Sequence, residues 1–388
     1  MLTGSYEFLA QDRVIFGKPA AKAVADSLDK LGARRALIVA SKSLSSKTGE
    51  IAAIVAELGE RCIGVYDSCV EHVPRESVLD LMATLRAKQP DLIVTVGGGT
   101  PIDTVKVSLA MLGSGGETLA DFDKLRIQVN DRGERVIPPV GQPPMRQIIV
   151  PTTLSGAEFS SLGGATDRVR QVKDLYWGRL IGGQIIILDP QIARHTPDWL
   201  WISTGVRAID HAVETICSRA PQPFTDATCI HALGMLSVSL RTIKRDPNDL
   251  EARLQCQLAV WLATTGLGRV DWGASHGIGH QLGAVASVPH GYCSCVMLPA
   301  VMAYNEPVNA DRQKLVSRAL GNEGEHASVL LRQLISDLGM PGSLRAVNVT
   351  RDHVPAITAG AMQNMMVRSN PRPITSQDQV AEILELAF

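Results

Sequence analysis

The chain of 388 residues has no long apolar run, no block of like charge and no closely spaced cysteine pair. No apolar run reaches the roughly 18 residues that a membrane-spanning helix needs, so we expect no membrane partner. The formal net charge is only -1, and the even spread of charge argues against nucleic acid as a partner. The first residues, MLTGSYEFLAQDR, lack a basic start followed by an apolar core, so we expect no signal peptide.

The cysteines lack the spacing of a metal or redox motif. The chain has seven of them, an odd number, and none forms a CxxC pair. Cysteines scattered through a long chain in this way are typical of reduced thiols in the cytoplasm, which is where we expect the protein. Cys293 and Cys295 could form a soft metal site, but we favour two small hydrophobic side chains in a helix.

Short apolar runs alternate with amphipathic stretches in the first half of the chain. The apolar runs predict buried strands at residues 35–40, 62–66, 91–96, 147–150 and 184–188. Helical spacing of apolar residues predicts helices at 18–31, 47–58 and 76–88. This alternation indicates a parallel sheet covered on both faces. Residues 124–145 contain NDRG and then several prolines, which predicts a turn followed by a stiff loop, or a small hairpin with its exit.

After Asp189 the pattern changes to helical periodicity. Helices are predicted at residues 204–218, 225–241, 250–265, 293–304, 310–320, 327–338, 353–367 and 376–386. The sequence therefore predicts two domains. An α/β domain covers residues 1–189, and an all-α domain covers residues 190–388.

Three glycines, Gly97, Gly98 and Gly99, directly follow the predicted strand at 91–96, and Pro101 suits a first helical position. Glycines let the backbone approach a phosphate closely, and a helix N-terminus offers free N–H groups to it. A tight strand-to-helix turn is the alternative. Thr152 and Thr153 follow a second strand, and their hydroxyls could bind phosphate or the nicotinamide amide, or form an ordinary turn.

Three histidines lie within fifteen residues of one another near the middle of the predicted helical domain. His276 and His280 are four residues apart and share a helix face, and His290 follows Pro289, where a helix has already ended. Each alone could be a satisfied core histidine. Three at this spacing favour a site.

The predicted helix at 204–218 carries Arg207, His211 and Glu214 away from its apolar stripe. His211 could join the later histidines around one pocket. The alternative is that Arg207 pairs with Asp210 or Glu214 on a solvated surface, where such pairs contribute little.

Together these segments resemble the iron-containing, group III alcohol dehydrogenase family over essentially the whole chain. The resemblance implies a dehydroquinate synthase-like fold, with an N-terminal parallel-sheet dinucleotide-binding domain and a C-terminal helical domain. It also implies NAD or NADP as cofactor. In this resemblance the GGGTPID segment, which includes Thr100 and Asp103, binds the cofactor diphosphate, and Thr152 and Thr153 contact the nicotinamide side.

The resemblance also implies a divalent metal, Fe or Zn, with His211, His276 and His290 at ligand positions and His280 at a proton-relay position. The family's aspartate ligand is replaced by Arg207. Three imidazoles can hold zinc, but a permanent cation among them repels it, so we doubt the metal. Asp210 would face about 100° away from His211 on a helix and is a poor substitute.

Two further departures concern substrate and cofactor. The segment PTTLSGAE resembles that of maleylacetate reductases, which are thought to need no metal, whereas the PHG turn and the GIGHQLGA helix look more like alcohol dehydrogenases. Ser41 stands where many NAD-preferring members have an aspartate that repels a 2′-phosphate. Ser41, with Lys42 beside it, could accept either cofactor.

We therefore expect an NAD(P)H-dependent oxidoreductase that reduces a small oxo or enoyl acid, in which Arg207 binds the substrate carboxylate and His280 is the general acid. The alternative is a metal-dependent alcohol dehydrogenase acting on short alcohols or aldehydes. A dehydroquinate synthase-like lyase needs many basic residues, of which only Lys106, Arg207 and Lys173 lie near the motifs. We expect a homodimer with a small-molecule substrate.

Overall fold

The computed structural model of the protein describes residues 3–130 and 135–388. Most of the predicted NDRG turn, residues 131–133, lies outside the described residues. The chain divides into two compact units, one of Glu7–His195 and one that joins the residues up to Tyr6 with Thr196–Phe388.

The first unit is built on a sheet of six parallel strands. These are β1 (Arg13–Phe16), β2 (Ala36–Ala40), β3 (Cys62–Tyr66), β4 (Leu92–Gly97), β7 (Arg146–Pro151) and β10 (Gly183–Leu188). Their order across the sheet is β1-β10-β7-β4-β2-β3, and all neighbours run parallel. Two antiparallel pairs lie outside this sheet: β5 (Gln128–Val129) with β6 (Arg135–Val136), and β8 (Leu162–Asp167) with β9 (Val172–Trp177).

Helices cover both faces of the six-stranded sheet. They are α1 (Ala20–Leu31), α2 (Lys42–Lys47), α3 (Glu50–Leu58), α4 (Arg75–Lys88), α5 (Gly99–Gly113), α6 (Asp121–Leu125) and α7 (Pro190–Ala193). Alternate side chains of β2 point to opposite faces. Ile38 packs in the core that includes Leu28 and Ile54, and Leu37 packs in the core that includes Leu81 and Leu109. The predicted parallel sheet covered on both faces is confirmed.

Ion pairs tie the β8–β9 hairpin to the rest of this unit. The Arg75 guanidinium, which is 4% exposed, lies 2.7 Å from the Asp174 carboxylate, 2.8 Å from that of Asp123 and 3.1 Å from that of Asp167. A buried guanidinium paired with several carboxylates fixes the hairpin in one place, because breaking such a pair leaves a buried charge uncompensated.

The second unit is helical, as the sequence predicts. Its helices are α8 (Asp198–Ile216), α9 (Pro223–Arg245), α10 (Leu250–Ala263), α11 (Ala274–Ala286), α12 (His290–Ala319), α13 (Ala327–Asp337), α14 (Val354–Ala361), α15 (Met365–Arg368) and α16 (Gln377–Ala387). The predicted helices at 293–304 and 310–320 lie in α12, whose backbone leaves helical geometry at Asn309, after Pro307 and between the two predicted helices. The predicted helix at 353–367 is instead two, because Asn364 caps a new start at α15.

No helix in the described ranges is both long enough and apolar enough to cross a bilayer. The α/β first unit and the helical second unit confirm the predicted α/β plus all-α fold class.

Candidate active site

The glycine-rich loop joins β4 to α5. Gly97 has a φ of 152°, and a Cβ there would lie 2.7 Å from Pro101 Cγ, so only glycine fits. A Cβ on Gly98 would lie 2.9 Å from Thr153 Cγ2, so the loop after β7 also packs directly on glycine. Gly99 and Thr100 form the first turn of α5, where backbone N–H groups have no partner within the helix. This arrangement suits an anion such as a diphosphate.

The second predicted segment, which contains Thr152 and Thr153, lies beside the glycine-rich loop. The Thr152 N–H donates to the Gly97 carbonyl at 3.0 Å. The Thr153 and Ser155 hydroxyls lie 3.2 Å apart, and Ser155 Oγ lies 3.8 Å from where a Gly99 Cβ would be. Hydroxyl groups therefore line the glycine-rich loop, although Ser155 itself was not singled out from the sequence.

Ser41 also reaches this loop. It precedes α2, its N–H donates to the Val96 carbonyl at 3.0 Å, and its Oγ lies 3.4 Å from where a Gly97 Cβ would be. Three predicted cofactor segments therefore meet where parallel strands end, which is where open α/β sheets bind ligands.

The Asp103 side chain contacts the β8–β9 hairpin of the same unit. Its Oδ2 accepts the Gly164 N–H at 3.3 Å and lies 3.6 Å from Lys173 Nζ. The carboxylate thus fastens the β8–β9 hairpin to α5. Contact of Asp103 with a cofactor, which the resemblance implies, stays a prediction.

Two buried ionisable residues, Lys106 and Glu158, lie at the loop after β7, and the sequence motifs point only to Lys106. Lys106 Nζ donates to the Ala157 carbonyl and, at 2.9 Å, to the Leu162 carbonyl. Burial lowers the pKa of Lys106 to about 8. Burial also raises the pKa of Glu158 to about 7, and Glu158 Oε2 has no hydrogen-bond partner among the described residues.

In the helical unit, the start of α11 is held by a carboxylate of α8. Glu214 accepts the Ser275 N–H at 2.9 Å and the His276 N–H at 3.4 Å, and its Oε2 lies 2.6 Å from His276 Nδ1. Burial raises the pKa of Glu214 well above its usual value, and the charge of Asp210 adds to this. When Glu214 is ionised, His276 Nδ1 is the donor to it and His276 Nε2 carries the lone pair. Within the described part of the chain that Nε2 atom has no partner.

Asp210 corrects the sequence-based interpretation, which placed it either facing away from the site or on a solvated surface. It is fully buried, and its Oδ2 accepts the Ser294 hydroxyl at 2.7 Å and the Ser275 hydroxyl at 2.9 Å. Because Ser275 lies on α11 and Ser294 on α12, Asp210 holds both helices to α8. The expectation failed because α8 is buried on nearly all sides, so every face of it meets a neighbour.

Arg207 lies within this buried group and is 9% exposed. Its only hydrogen bond among the described residues is a long one, 3.4 Å from Nη1 to Ser294 Oγ, and it has no carboxylate within 4.0 Å there. Burial lowers the pKa of Arg207, and the Asp210 charge opposes this. Most of the five N–H donors of this guanidinium therefore make no hydrogen bond to the part of the chain that the structure describes.

The histidines form two stacked pairs. His211 stacks on His276 with ring centroids 5.1 Å apart and on Trp272 at 4.7 Å, and His280 stacks on His290 at 5.7 Å. Burial, followed by the Arg207 charge, lowers the pKa of both His211 and His276 well below the usual value. These two rings are therefore neutral at ordinary pH. Trp272, although inside the histidine-rich stretch, was not recognised from the sequence.

The residues at the family's metal-ligand positions do not fit a divalent ion well. The predicted set of His211, His276 and His290 stays a prediction. Among the described residues, single ligand atoms of Asp210, Glu214 and His276 lie within 4.8 Å of one another. Both of those carboxylates already accept hydrogen bonds from the starts of α11 and α12. The Arg207 guanidinium adds a fixed positive charge beside them, which would repel the ion.

Comparison with known proteins gives the family. Residues 11–190 match the model of the iron-containing alcohol dehydrogenases, and residues 201–388 match the C-terminal model of the Fe-containing alcohol dehydrogenase family. Dehydrogenase ALT3 of Alternaria alternata is 33% identical over 390 residues, covering 92% of this chain and 99% of that protein. The NAD-dependent methanol dehydrogenase of Bacillus methanolicus is 28% identical over 386 residues, covering 96% and 97%. The crystal structure of maleylacetate reductase from Rhizobium sp. strain MTP-10005 is 25% identical with a TM-score of 0.83, covering 100% of this chain and 99% of that one. The chain therefore belongs to the iron-containing alcohol dehydrogenase family.

Proposed function

We propose that this oxidoreductase uses NADH or NADPH to reduce a small oxo or enoyl acid, in the manner of a maleylacetate reductase, and that it needs no metal. The observation that carries the proposal is the state of Arg207. Its guanidinium is buried and has one long hydrogen bond among the described residues. Such a group can form its missing ion pair with an anionic substrate.

The physical argument rests on the cost of an unpaired buried charge. A guanidinium is not deprotonated in proteins, so Arg207 stays cationic although burial lowers its pKa. Leaving such a charge without a close anion is strongly unfavourable. Asp210 acts only at longer range, because its carboxylate already accepts two serine hydroxyls. A substrate carboxylate could pair with the guanidinium through two parallel N–H···O bonds, which fix the orientation of the substrate as well as its charge.

The chemistry adds one hydride and one proton across a carbonyl, or across a carbon–carbon double bond conjugated to one. When bound, the reduced nicotinamide supplies the hydride and leaves oxidised. His280 donates the proton to the oxygen or carbon that becomes negative, and it regains a proton from water. Arg207 holds the substrate carboxylate, and the hydroxyls beside the glycine-rich loop hold the cofactor.

Both cofactors are proposed because of Ser41. No carboxylate stands at this position to repel a 2′-phosphate, and the serine hydroxyl lies beside Gly97 in the glycine-rich loop. The similarity to an NAD-dependent dehydrogenase supports NADH as one of the two.

A metal-dependent alcohol dehydrogenase is the second candidate. The stacked pair of His211 and His276 favours it, because His211 Nδ1 and His276 Nε2 have no hydrogen-bond partner among the described residues. The similarity to a methanol dehydrogenase points the same way. Arg207 is the residue that argues against it.

Kinetics on a matched pair of substrates test the proposal. The turnover of a short 2-oxo acid would be compared with that of its neutral amide, in the wild-type protein and in Arg207→Gln. We expect the wild type to prefer the acid by about 100-fold in kcat/KM, or roughly 2.7 kcal/mol. We expect that preference to fall to about tenfold or less in Arg207→Gln, since a hydrogen bond to a charged group contributes about 1.5–3 kcal/mol.

Arg219→Gln, an exposed arginine of the same unit, is the matched control and should keep the wild-type preference. A preference that is the same in wild type and Arg207→Gln would contradict the role of Arg207. Loss of all activity on chelation, restored by zinc or iron, would favour the metal-dependent alcohol dehydrogenase instead.

A further inference from the structure

We propose that Asn364 is a positioning residue that fixes the tautomer of His280, so that the proton sits on Nε2 and Nδ1 is the acceptor. The inference rests on the proposed function, in which His280 is the proton donor. The observation is a contact of 3.4 Å between Asn364 Nδ2 and His280 Nδ1. No sequence motif pointed to Asn364.

The orientation of the Asn364 amide is set by its second contact. Its Oδ1 accepts the Met366 N–H at 2.9 Å and caps the start of α15. A flipped amide would place its NH2 group against the Met366 N–H, so that two donors would face each other and the cap would be lost. The Oδ1 atom therefore faces Met366, and the NH2 group faces His280.

An amide NH2 can only donate a hydrogen bond. A neutral imidazole has one donor nitrogen and one acceptor nitrogen, so His280 Nδ1 must be the acceptor and Nε2 must carry the hydrogen. The second ring nitrogen is thus the one that can deliver a proton. The role of Asn364 parallels that of groups that orient a catalytic imidazole through its other nitrogen.

The backbone of α11 is shaped to allow this contact. A Cβ on Gly277 would lie 2.6 Å from Val367 Cγ2, 2.9 Å from Val367 N and 3.4 Å from Asn364 Oδ1. Glycine at this position, one turn before His280, therefore lets α15 and its capping asparagine lie directly on α11. A larger residue would push Asn364 away from His280.

The sharpest test is Asn364→Asp. This substitution keeps the size of the side chain and the oxygen that caps α15, but it replaces the NH2 donor with an acceptor. The carboxylate also favours the charged ring, so the two proteins are compared at a pH where His280 is neutral in both. In the neutral ring the proton of His280 should then move to Nδ1. In protein labelled with 15N-histidine, long-range 1H–15N NMR spectra distinguish the two tautomers, and His280→Gln identifies the signals of His280.

We expect the Nε2–H tautomer in the wild type and the Nδ1–H form in Asn364→Asp. The turnover kcat should fall by about tenfold or more, which is part of the roughly 10²–10⁴-fold that a general acid contributes. Cofactor affinity should change less than about twofold, because the proposed cofactor residues lie elsewhere in the sequence. Asn364→Ser keeps a cap but is too short to reach His280, so it should give mixed tautomers and an intermediate kcat.

Asn322→Asp is the matched control. Asn322 is exposed in the same unit, and its Oδ1 likewise accepts the N–H two residues on, from Gly324. It should leave both the NMR signals and kcat unchanged. An Nδ1–H tautomer in the wild type, or no change of tautomer in Asn364→Asp, overturns the inference. A change of tautomer without loss of kcat shows instead that His280 is not the proton donor, so the proposed mechanism would fail while the tautomer assignment stands.

Discussion

Glu158→Gln should make the protein more stable at alkaline pH. Glu158 directly follows the loop that packs on the glycine-rich segment, and it is 2% exposed. Its Oε2 has no hydrogen-bond partner within the described ranges. The nearby Lys106 ammonium donates to the Ala157 and Leu162 carbonyls. The ionised carboxylate is therefore held in a site that suits the neutral form better.

The magnitude follows from the pKa. Burial raises the pKa of Glu158 from 4.5 to about 7. Because the folded-state pKa is the higher one, the folded protein binds this proton more tightly than the unfolded chain does. The resulting stability is fully present below pH 4.5 and is lost as the pH rises to about 7. At about 1.36 kcal/mol for each pKa unit, the loss is roughly 3 kcal/mol at pH 8.

Glutamine is neutral at every pH and fills the same space. We therefore expect Glu158→Gln to raise the free energy of unfolding by about 3 kcal/mol at pH 8 and by less than about 1 kcal/mol at pH 5. Urea unfolding followed by circular dichroism at the two pH values measures this. The control is Glu57→Gln on the exposed side of α3, which should change stability by no more than about 0.5 kcal/mol. An equal effect at both pH values, or destabilisation at pH 8, would refute the reasoning.

Two further predictions concern the cofactor and the proton. The wild type should bind NADH and NADPH with affinities within about tenfold of each other. Ser41→Asp should weaken NADPH binding more than NADH binding, because a carboxylate repels the 2′-phosphate. Fluorescence titration measures both affinities, and a wild-type preference for NADH above about 100-fold would show that another residue excludes the phosphate. His280→Ala should lower kcat by roughly 10²–10⁴-fold with little change in cofactor affinity, and near-normal turnover at several pH values would remove His280 from the mechanism.

The main strands and helices could be predicted because their apolar runs are long and regular. The strand predicted at 62–66 has those bounds in the structure, and the one predicted at 91–96 is Leu92–Gly97. β1 was missed because it is only four residues long and its ends are exposed. β8 was missed because two glycines interrupt its apolar pattern. Pattern alone carries too little signal in such short strands.

The residues of the candidate site also differ in how far the sequence alone could predict them. The glycines, threonines and histidines stand in spaced motifs, so their residue types and positions could be recognised. Glu158, Trp272 and Asn364 depend on which helix or loop packs against which, and no local pattern encodes that. Asp210 shows the same limit, because helix geometry gives the direction of a side chain and not the neighbour it meets.

Arg207 stands where the family pattern has an aspartate ligand, yet the net charge of the site changes less than this exchange of residues suggests. In the family pattern that the sequence resembles, a divalent ion and one aspartate together carry one positive charge. Arg207 carries one positive charge alone. Under the proposed function, a site that neutralises developing negative charge on a substrate would keep its net sign, with a planar group of several donors in place of a point-like ion. Such a group suits a carboxylate better than it suits a carbonyl or alkoxide oxygen.

Arg207→Asp tests this argument directly. Without a metal, the substitution changes the local charge from positive to negative, so turnover of oxo acids should be lost because a carboxylate would face a carboxylate. The same substitution restores an anionic ligand beside His211 and His276, so affinity for zinc or ferrous iron should rise. Elemental analysis should find substoichiometric metal in the wild type and about one ion per chain in Arg207→Asp supplied with zinc. One tightly bound metal per wild-type chain, with activity lost on its removal, would mean that Arg207 does not replace the ion and that water or Asp210 completes the coordination.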